Sequence, residues 1–190
     1  MAARRLRGKY LLDAELEAFV AAVRARTHRN SVRDRALFAI LVNTGIRPSE
    51  ALAITRADVC IGRRESTLRV RRLKLRIDAP ADVLVLTPLL ADAIAARLRE
   101  IDDAPDCRLF DMCQRQARRL FGYYMHKAGL SCRTRLYILR HTAATRMYRS
   151  TRNIALVQAM LGHKSPDTTA IYAQIPRSVL QEAANLCQGA

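Results

Sequence analysis

Five residues of this chain have side chains suited to one kind of chemistry, and each sits in a short, distinctive segment. Arg47 lies in Thr44-Gly45-Ile46-Arg47-Pro48-Ser49-Glu50 and Lys74 in Arg72-Leu73-Lys74. Arg140 lies in Leu139-Arg140-His141-Thr142, His163 in Leu161-Gly162-His163-Lys164, and Tyr172 in Thr169-Ala170-Ile171-Tyr172. Taken singly, each has an ordinary reading. Arg47 can pair with Glu50, Lys74 can belong to a solvated basic hairpin, Arg140 can form a structural ion pair, and Tyr172 can be a core aromatic. Taken together, they supply what metal-free phosphoryl transfer to a protein hydroxyl requires. A phosphodiester gains charge as it becomes pentacoordinate, and fixed cationic donors stabilise that charge. A phenol oxygen can attack and hold the phosphate as a covalent ester. A general acid then protonates the departing oxygen.

The elements that must position these groups read clearly. Leu16, Phe19, Val20 and Val23 share one face of a helix from Asp13, its expected cap, to about Arg26. Ser31 is placed to cap the next helix, with Asp34 favourable in its first turn. The apolar stretch from Ala36 to Val42 makes that helix a buried one, ending at Gly45. Pro48 then opens a short helix to about Ile54. Leu68 and Val70 alternate with Arg69 and Arg71, a strand pattern whose phase flips after Arg71, so a bulge or turn belongs there. Val83 to Leu86 reads as a second strand, and Thr87-Pro88 opens a helix to about Glu100. Helices follow at roughly 113–127, 138–149, 153–161, 166–174 and 177–186. The expected fold class is α+β, mainly α-helical, with a small antiparallel β-sheet inserted.

The chain has 190 residues, a formal net charge of +16, and 29 Arg against 4 Lys. That length suits one domain with a core of its own, and half the residues are apolar, which excludes a disordered chain. The charge costs self-repulsion and points to a polyanionic partner. No apolar run approaches the roughly 18 residues of a membrane span. The basic start, Met1 to Arg7, is not followed by a signal-peptide apolar stretch. The expectation is a soluble, cytoplasmic protein with no membrane partner. The five cysteines, Cys60, Cys107, Cys113, Cys132 and Cys187, are odd in number and lack C-x-x-C spacing, so neither a disulfide framework nor a zinc site is expected.

In order and spacing, the motifs resemble those of the tyrosine recombinases, the phage-integrase family. The matching stretches are TGIRPSEALAI at 44–54, RLK at 72–74, LRHTAATRM at 139–147 and LGHKSPDTTAIYAQI at 161–175. The last, with Tyr172 nine residues after His163, is the most specific. The short form, with RLK at the hairpin, looks like the fimbrial phase-switch invertases.

The resemblance implies the tyrosine-recombinase catalytic fold and site-specific DNA recombination through a 3′-phosphotyrosyl intermediate, with neither metal nor cofactor. Tyr172 would be the nucleophile, and Arg47 and Arg140 the grips on the non-bridging oxygens. His163 would hydrogen-bond the phosphate, and Lys74 would protonate the 5′ oxygen. Arg69, Arg71, Arg72 and Arg76 are placed to hold DNA backbone. One departure is Tyr137, where the family usually has His or Lys. The acceptor of the Tyr172 proton is therefore open between Tyr137, His141 and water, with His141 otherwise a support for the site. Residues 1–190 are expected to form a single catalytic domain, with motifs over 10–175 and no N-terminal core-binding domain. The 176–190 helix, with its stripe of Val179, Leu180, Ala183 and Leu186, would pack on its own domain or dock in trans.

The partners implied are double-stranded DNA, a tetramer (a pair of dimers) on synapsed DNA, accessory DNA-bending proteins, and the nucleoid when DNA is bound. A non-catalytic DNA-binding regulator and a type IB topoisomerase-like enzyme are the competing readings. If the charge neutralises six to ten phosphates, duplex affinity falls about a thousandfold or more between 50 and 200 mM salt, read from a binding titration at each salt concentration.

Overall fold

The computed structural model describes residues 10–71, 81–130 and 135–162. In chain order these form α1 (Asp13–Ala25), α2 (Ser31–Thr44), α3 (Pro48–Leu52), a 3₁₀ turn (Arg56–Asp58), β1 (Val59–Cys60), β2 (Ser66–Val70), β3 (Asp82–Leu86), α4 (Pro88–Leu98), α5 (Gln114–Lys127), α6 (Ile138–Thr151) and α7 (Ile154–Leu161). The expected mainly helical fold with an inserted antiparallel sheet is the one found. The helices predicted at 166–174 and 177–186, and the bulge expected after Arg71, lie outside the described residues.

The architecture is organised around α2. Leu37, Phe38, Ile40, Leu41 and Ala36 are all almost fully buried, so this helix has core on nearly every side. It packs against α1, α4 and α6. The apolar face read for α1 is the buried one, with Leu16, Phe19 and Val23 inside and Val20 at its margin. Phe19 stands edge-on to Phe38, with centroids 5.2 Å apart, and meets Phe121 of α5 at 5.5 Å. Tyr124 closes the group, edge-on to Phe38 at 5.5 Å. Edge-to-face rings at these distances set positive edges against negative faces, which adds to the burial.

The sheet is antiparallel in the order β1-β2-β3. Leu68 is opposite Leu84 and Ser66 opposite Leu86, so Leu68, Val70, Leu84 and Leu86 line the buried side. Arg69 and Val83, also opposite one another, face out. The two-residue β1, which pairs Val59 with Leu68, is too short to carry a periodic signal. Two helix starts differ from expectation. The cap of α1 is Leu12, whose amide donates to the Glu15 carboxylate at 2.8 Å, so the acid at the third helical position does the work expected of Asp13. The cap of α2 is Asn30, with Ser31 already inside the helix.

Asp34 stands in the first turn of α2, as read, and is fully buried there. Its carboxylate accepts from the Tyr124 hydroxyl at 2.8 Å, from Arg26 at 3.2 Å and from Arg33 at 2.9 and 3.1 Å. A buried carboxylate persists only with such partners. One charge thus ties α1, α2 and α5 together. Burial pushes the Tyr124 phenol up to about 12, aided by the Asp34 carboxylate it donates to and opposed by Arg26.

The sign of the consequence follows. The unfolded phenol ionises near pH 10 and the folded one near 12, so between those values the unfolded state binds fewer protons. Tyr124 therefore costs stability as pH rises from about 10 to about 12, by up to about 2–3 kcal/mol. Urea unfolding across that range should show this loss in the wild type and its absence in Tyr124→Phe.

Candidate functional site

Arg47 is positioned by the abrupt end of α2. Gly45 takes a left-handed conformation (φ 62°), and its amide closes the helix on the Leu41 carbonyl at 3.2 Å. A side chain there is strained by the backbone angle, and its Cβ would lie 2.9 Å from Leu161 Cδ2 and 3.1 Å from Ala143 Cβ, so both neighbours would have to give way. Two residues later Arg47 caps α3, with Pro48 in the first turn. Glu50, nearly fully buried, reaches back to it with both oxygens. Oε2 accepts the Arg47 backbone amide at 2.8 Å and Oε1 accepts Nη1 at 2.8 Å. The Arg47–Glu50 pair anticipated for a surface is thus a largely enclosed one, with the Arg47 side chain 20% exposed and that of Glu50 not at all. A partly exposed guanidinium held at two points is oriented as well as charged.

Arg140 lies in the first turn of α6 and is 3% exposed. Leu136, Ile138 and Leu139 around it are buried, which draws the arginine inward with them. Its Nη1 donates to the Gly45 carbonyl at 2.8 Å and its Nη2 to the Leu161 carbonyl at 2.9 Å. Both acceptors stand at helix C-termini, where carbonyls lack intrahelical partners and the helix dipole is negative. In these two bonds the acceptors are backbone carbonyls and not carboxylates. Tyr137 and His141 stay at the surface one helical turn apart, their rings edge-on at 5.1 Å, with the Arg140 guanidinium carbon 5.9 Å from the Tyr137 centroid.

The structure therefore brings Arg47 and Arg140 to one place, the C-terminal end of α2. Tyr137 and His141 border Arg140. Arg69 lies on the outer face of β2 with its Nη2 on the Ala57 carbonyl at 3.2 Å, and Arg71 is exposed just beyond that strand. Lys74, His163, Tyr172, Arg72 and Arg76 lie outside the described residues. The α7 helix ends at Gly162 (φ 63°), the residue before His163.

Two features went unread in the sequence. Glu50 was weighed only as a surface partner, although an acid three residues after Arg47 at a helix start is a legible signal. The other is α5, whose Arg115, Arg118, Arg119, His126 and Lys127 are all exposed and which contains no acid. Among the described residues this is a second basic surface, separate from the β2 arginines.

A mainly helical domain with a small three-stranded antiparallel sheet is the fold of the tyrosine-recombinase catalytic domain. It matches XerH site-specific recombinase bound to difH substrate in a pre-cleavage complex, with a TM-score of 0.71 and 25% identity over 87% of this chain and 50% of that one. It also matches the XerA recombinase, with a TM-score of 0.68 and 27% identity over 91% of this chain and 62% of that one. The model of the phage integrase family matches residues 9–177, and the chain belongs to that family.

Among curated relatives, tyrosine recombinase XerH of Campylobacter jejuni is 27% identical over 189 residues, 95% of this chain and 52% of the relative. Tyrosine recombinase XerC of Chlamydia trachomatis is 31% identical over 147 residues, 75% of this chain and 47% of the relative. The chain thus spans about half the length of the relatives it matches.

The Arg47–Glu50 geometry predicts a graded response. Glu50→Ala removes two hydrogen bonds, one of them charged, and should lower unfolding stability by about 2–3 kcal/mol. Glu50→Gln retains an acceptor for the Arg47 amide and should cost about 1 kcal/mol. Urea unfolding of both variants measures the difference.

Proposed function

We propose that this chain is the DNA-cleaving and rejoining unit of a site-specific tyrosine recombinase. The observation that carries the reading is the convergence of Arg47 and Arg140 on the end of α2, in a chain of the phage integrase family whose remaining motif residues stand in the family's order. Relatives named as recombinases, and solved as complexes with DNA before and after cleavage, support it.

In this reading the Tyr172 oxygen attacks the scissile phosphorus as its proton leaves, and the bond from phosphorus to the 5′ oxygen breaks. The 5′ oxygen takes a proton from Lys74 and departs as a hydroxyl. The phosphorus–oxygen bond to Tyr172 conserves the energy that rejoining needs, so the reverse attack by a 5′ hydroxyl reseals DNA without a nucleotide. Arg47 and Arg140 stabilise the two non-bridging oxygens as charge builds, and His163 donates a further hydrogen bond. Tyr137 and His141, side by side at the surface, are the candidates beside water for relaying the Tyr172 proton.

Duplex DNA is the partner in this proposal. Arg69, Arg71, Arg72 and Arg76, together with the exposed basic side of α5, would carry backbone contacts. Four protomers on synapsed DNA, with accessory DNA-bending proteins, would complete the reaction. The 176–190 segment would then link neighbours in trans. Among the described residues no helix is long and apolar enough to cross a membrane. Action on cytoplasmic, nucleoid DNA follows from the recombinase reading alone.

The test is covalent capture on nicked duplexes taken from the DNA flanking its gene. The wild type should form a protein–DNA adduct resistant to denaturant, and Tyr172→Phe should form none. Arg47→Ala or Arg140→Ala should slow adduct formation by about 10²–10³. An adduct that survives Tyr172→Phe would overturn the assignment. Duplex binding with no adduct on any substrate would favour the regulator, and relaxation of plasmids lacking a special site the topoisomerase.

A further inference from the structure

Arg140 has a second geometric relationship that phosphate binding does not require. Its two terminal nitrogens bond backbone carbonyls on different helices, Gly45 at the end of α2 and Leu161 at the end of α7. The same junction is packed closely from the side: the position a Gly45 Cβ would take lies 2.9 Å from Leu161 Cδ2 and 3.1 Å from the Ala143 Cβ of α6. Met147, Val157, Met160 and Leu161, with Ala144 beside them, form a small cluster separate from the main core. The chain leaves α7 through Gly162 and reaches His163 at the next residue.

We propose that Arg140 is also a positioning residue, a latch that fixes the end of α7 against the end of α2 and so sets where the chain bearing His163 and Tyr172 begins. For the roles of those two residues, this rests on the function proposed above. The latch itself is a property of the protein without DNA. The physical basis is the guanidinium fork. Its two terminal nitrogens lie in one rigid plane and can each hold a carbonyl on a different helix, whereas an ammonium offers one atom on a flexible stem. Removing the fork leaves buried carbonyls at two helix ends without that donor. The end of α7 is otherwise held by its buried Val157, Met160 and Leu161, which pack with Met147 of α6 outside the main core.

Hydrogen exchange on the full chain without DNA reads the latch directly. In Arg140→Lys, which keeps the charge, and in Gly45→Ala, which wedges the junction while leaving Arg140 intact, the amides of residues 157–162 should exchange about tenfold or more faster than in the wild type. The amides of α5 should be unchanged, which shows that each variant is folded. The second readout separates positioning from binding. With the duplexes described above and at saturating DNA, where a change of affinity no longer matters, Gly45→Ala should form adduct about tenfold or more slowly than the wild type.

Unchanged exchange at 157–162 in both variants, with α5 intact, overturns the latch. Faster exchange with a wild-type adduct rate in Gly45→Ala overturns its link to the nucleophile. If the wild type forms no adduct on any duplex, the recombinase reading fails, while the exchange result still decides the latch.

Discussion

Helix C-termini present carbonyls that their own helix cannot satisfy, and when two such ends are buried together something must donate to both. Arg140 does this for α2 and α7 through Gly45 and Leu161. Much of the local design follows from that requirement. Gly45 brings its left-handed turn close to Leu161 Cδ2 and Ala143 Cβ, and the small Ala143 leaves room for it. Leu136, Ile138 and Leu139 must be apolar so that the first turn of α6 draws its arginine inside. A cation held among backbone dipoles keeps its full charge, and that is the state a phosphate-binding group needs.

Arg47 is held by a different solution to the same problem of orientation. Its partner is the buried carboxylate of Glu50, three residues on, which also takes the amide at the start of α3. One arginine is thus fixed by helix ends and the other by a helix start, and both depend on the tight turn at Gly45. The turn in turn depends on α2 being rigidly seated. The Asp34 network seats its first turn against α1 and α5, and the aromatic group of Phe19, Phe38, Phe121 and Tyr124 fills the space between them. The buried charge at one end of α2 and the arginine-bearing junction at the other share one helix of 14 residues.

The net charge of +16 is distributed unevenly in function. Arg26, Arg33 and Arg140 are taken up by buried carboxylate or carbonyl partners and hold the fold together. Arg115, Arg118, Arg119 and Lys127 of α5 face solvent on a helix without acids, as does Arg69 on the outer face of the sheet. Arginines of the first kind direct donors at the protein itself, so counting arginines overstates the exposed basic surface. Where each arginine goes is set by what surrounds its stem.

Local periodicity and punctuation determined much of this protein. Leu16, Phe19 and Val23 recur at helical spacing, Leu68 and Val70 alternate with arginines, and Gly45, Pro48 and Pro88 mark ends and starts, because helices and strands are built from contacts within a few residues. The motif arginines, Arg47 and Arg140, were legible for the same reason: their chemistry is written in residue type and order. What only the tertiary structure decided is which charges are enclosed. Nothing within a few residues of Asp34 reveals Tyr124, 90 positions away, and the Arg47–Glu50 pair reads as a surface one until the closed environment around α3 is seen. Nor does any local pattern show that Arg140 reaches Gly45, 95 positions earlier, as well as Leu161, 21 positions later. Burial and long-range hydrogen bonding depend on how whole elements pack, and that information lies in the sum of the chain's contacts and in no single segment of it.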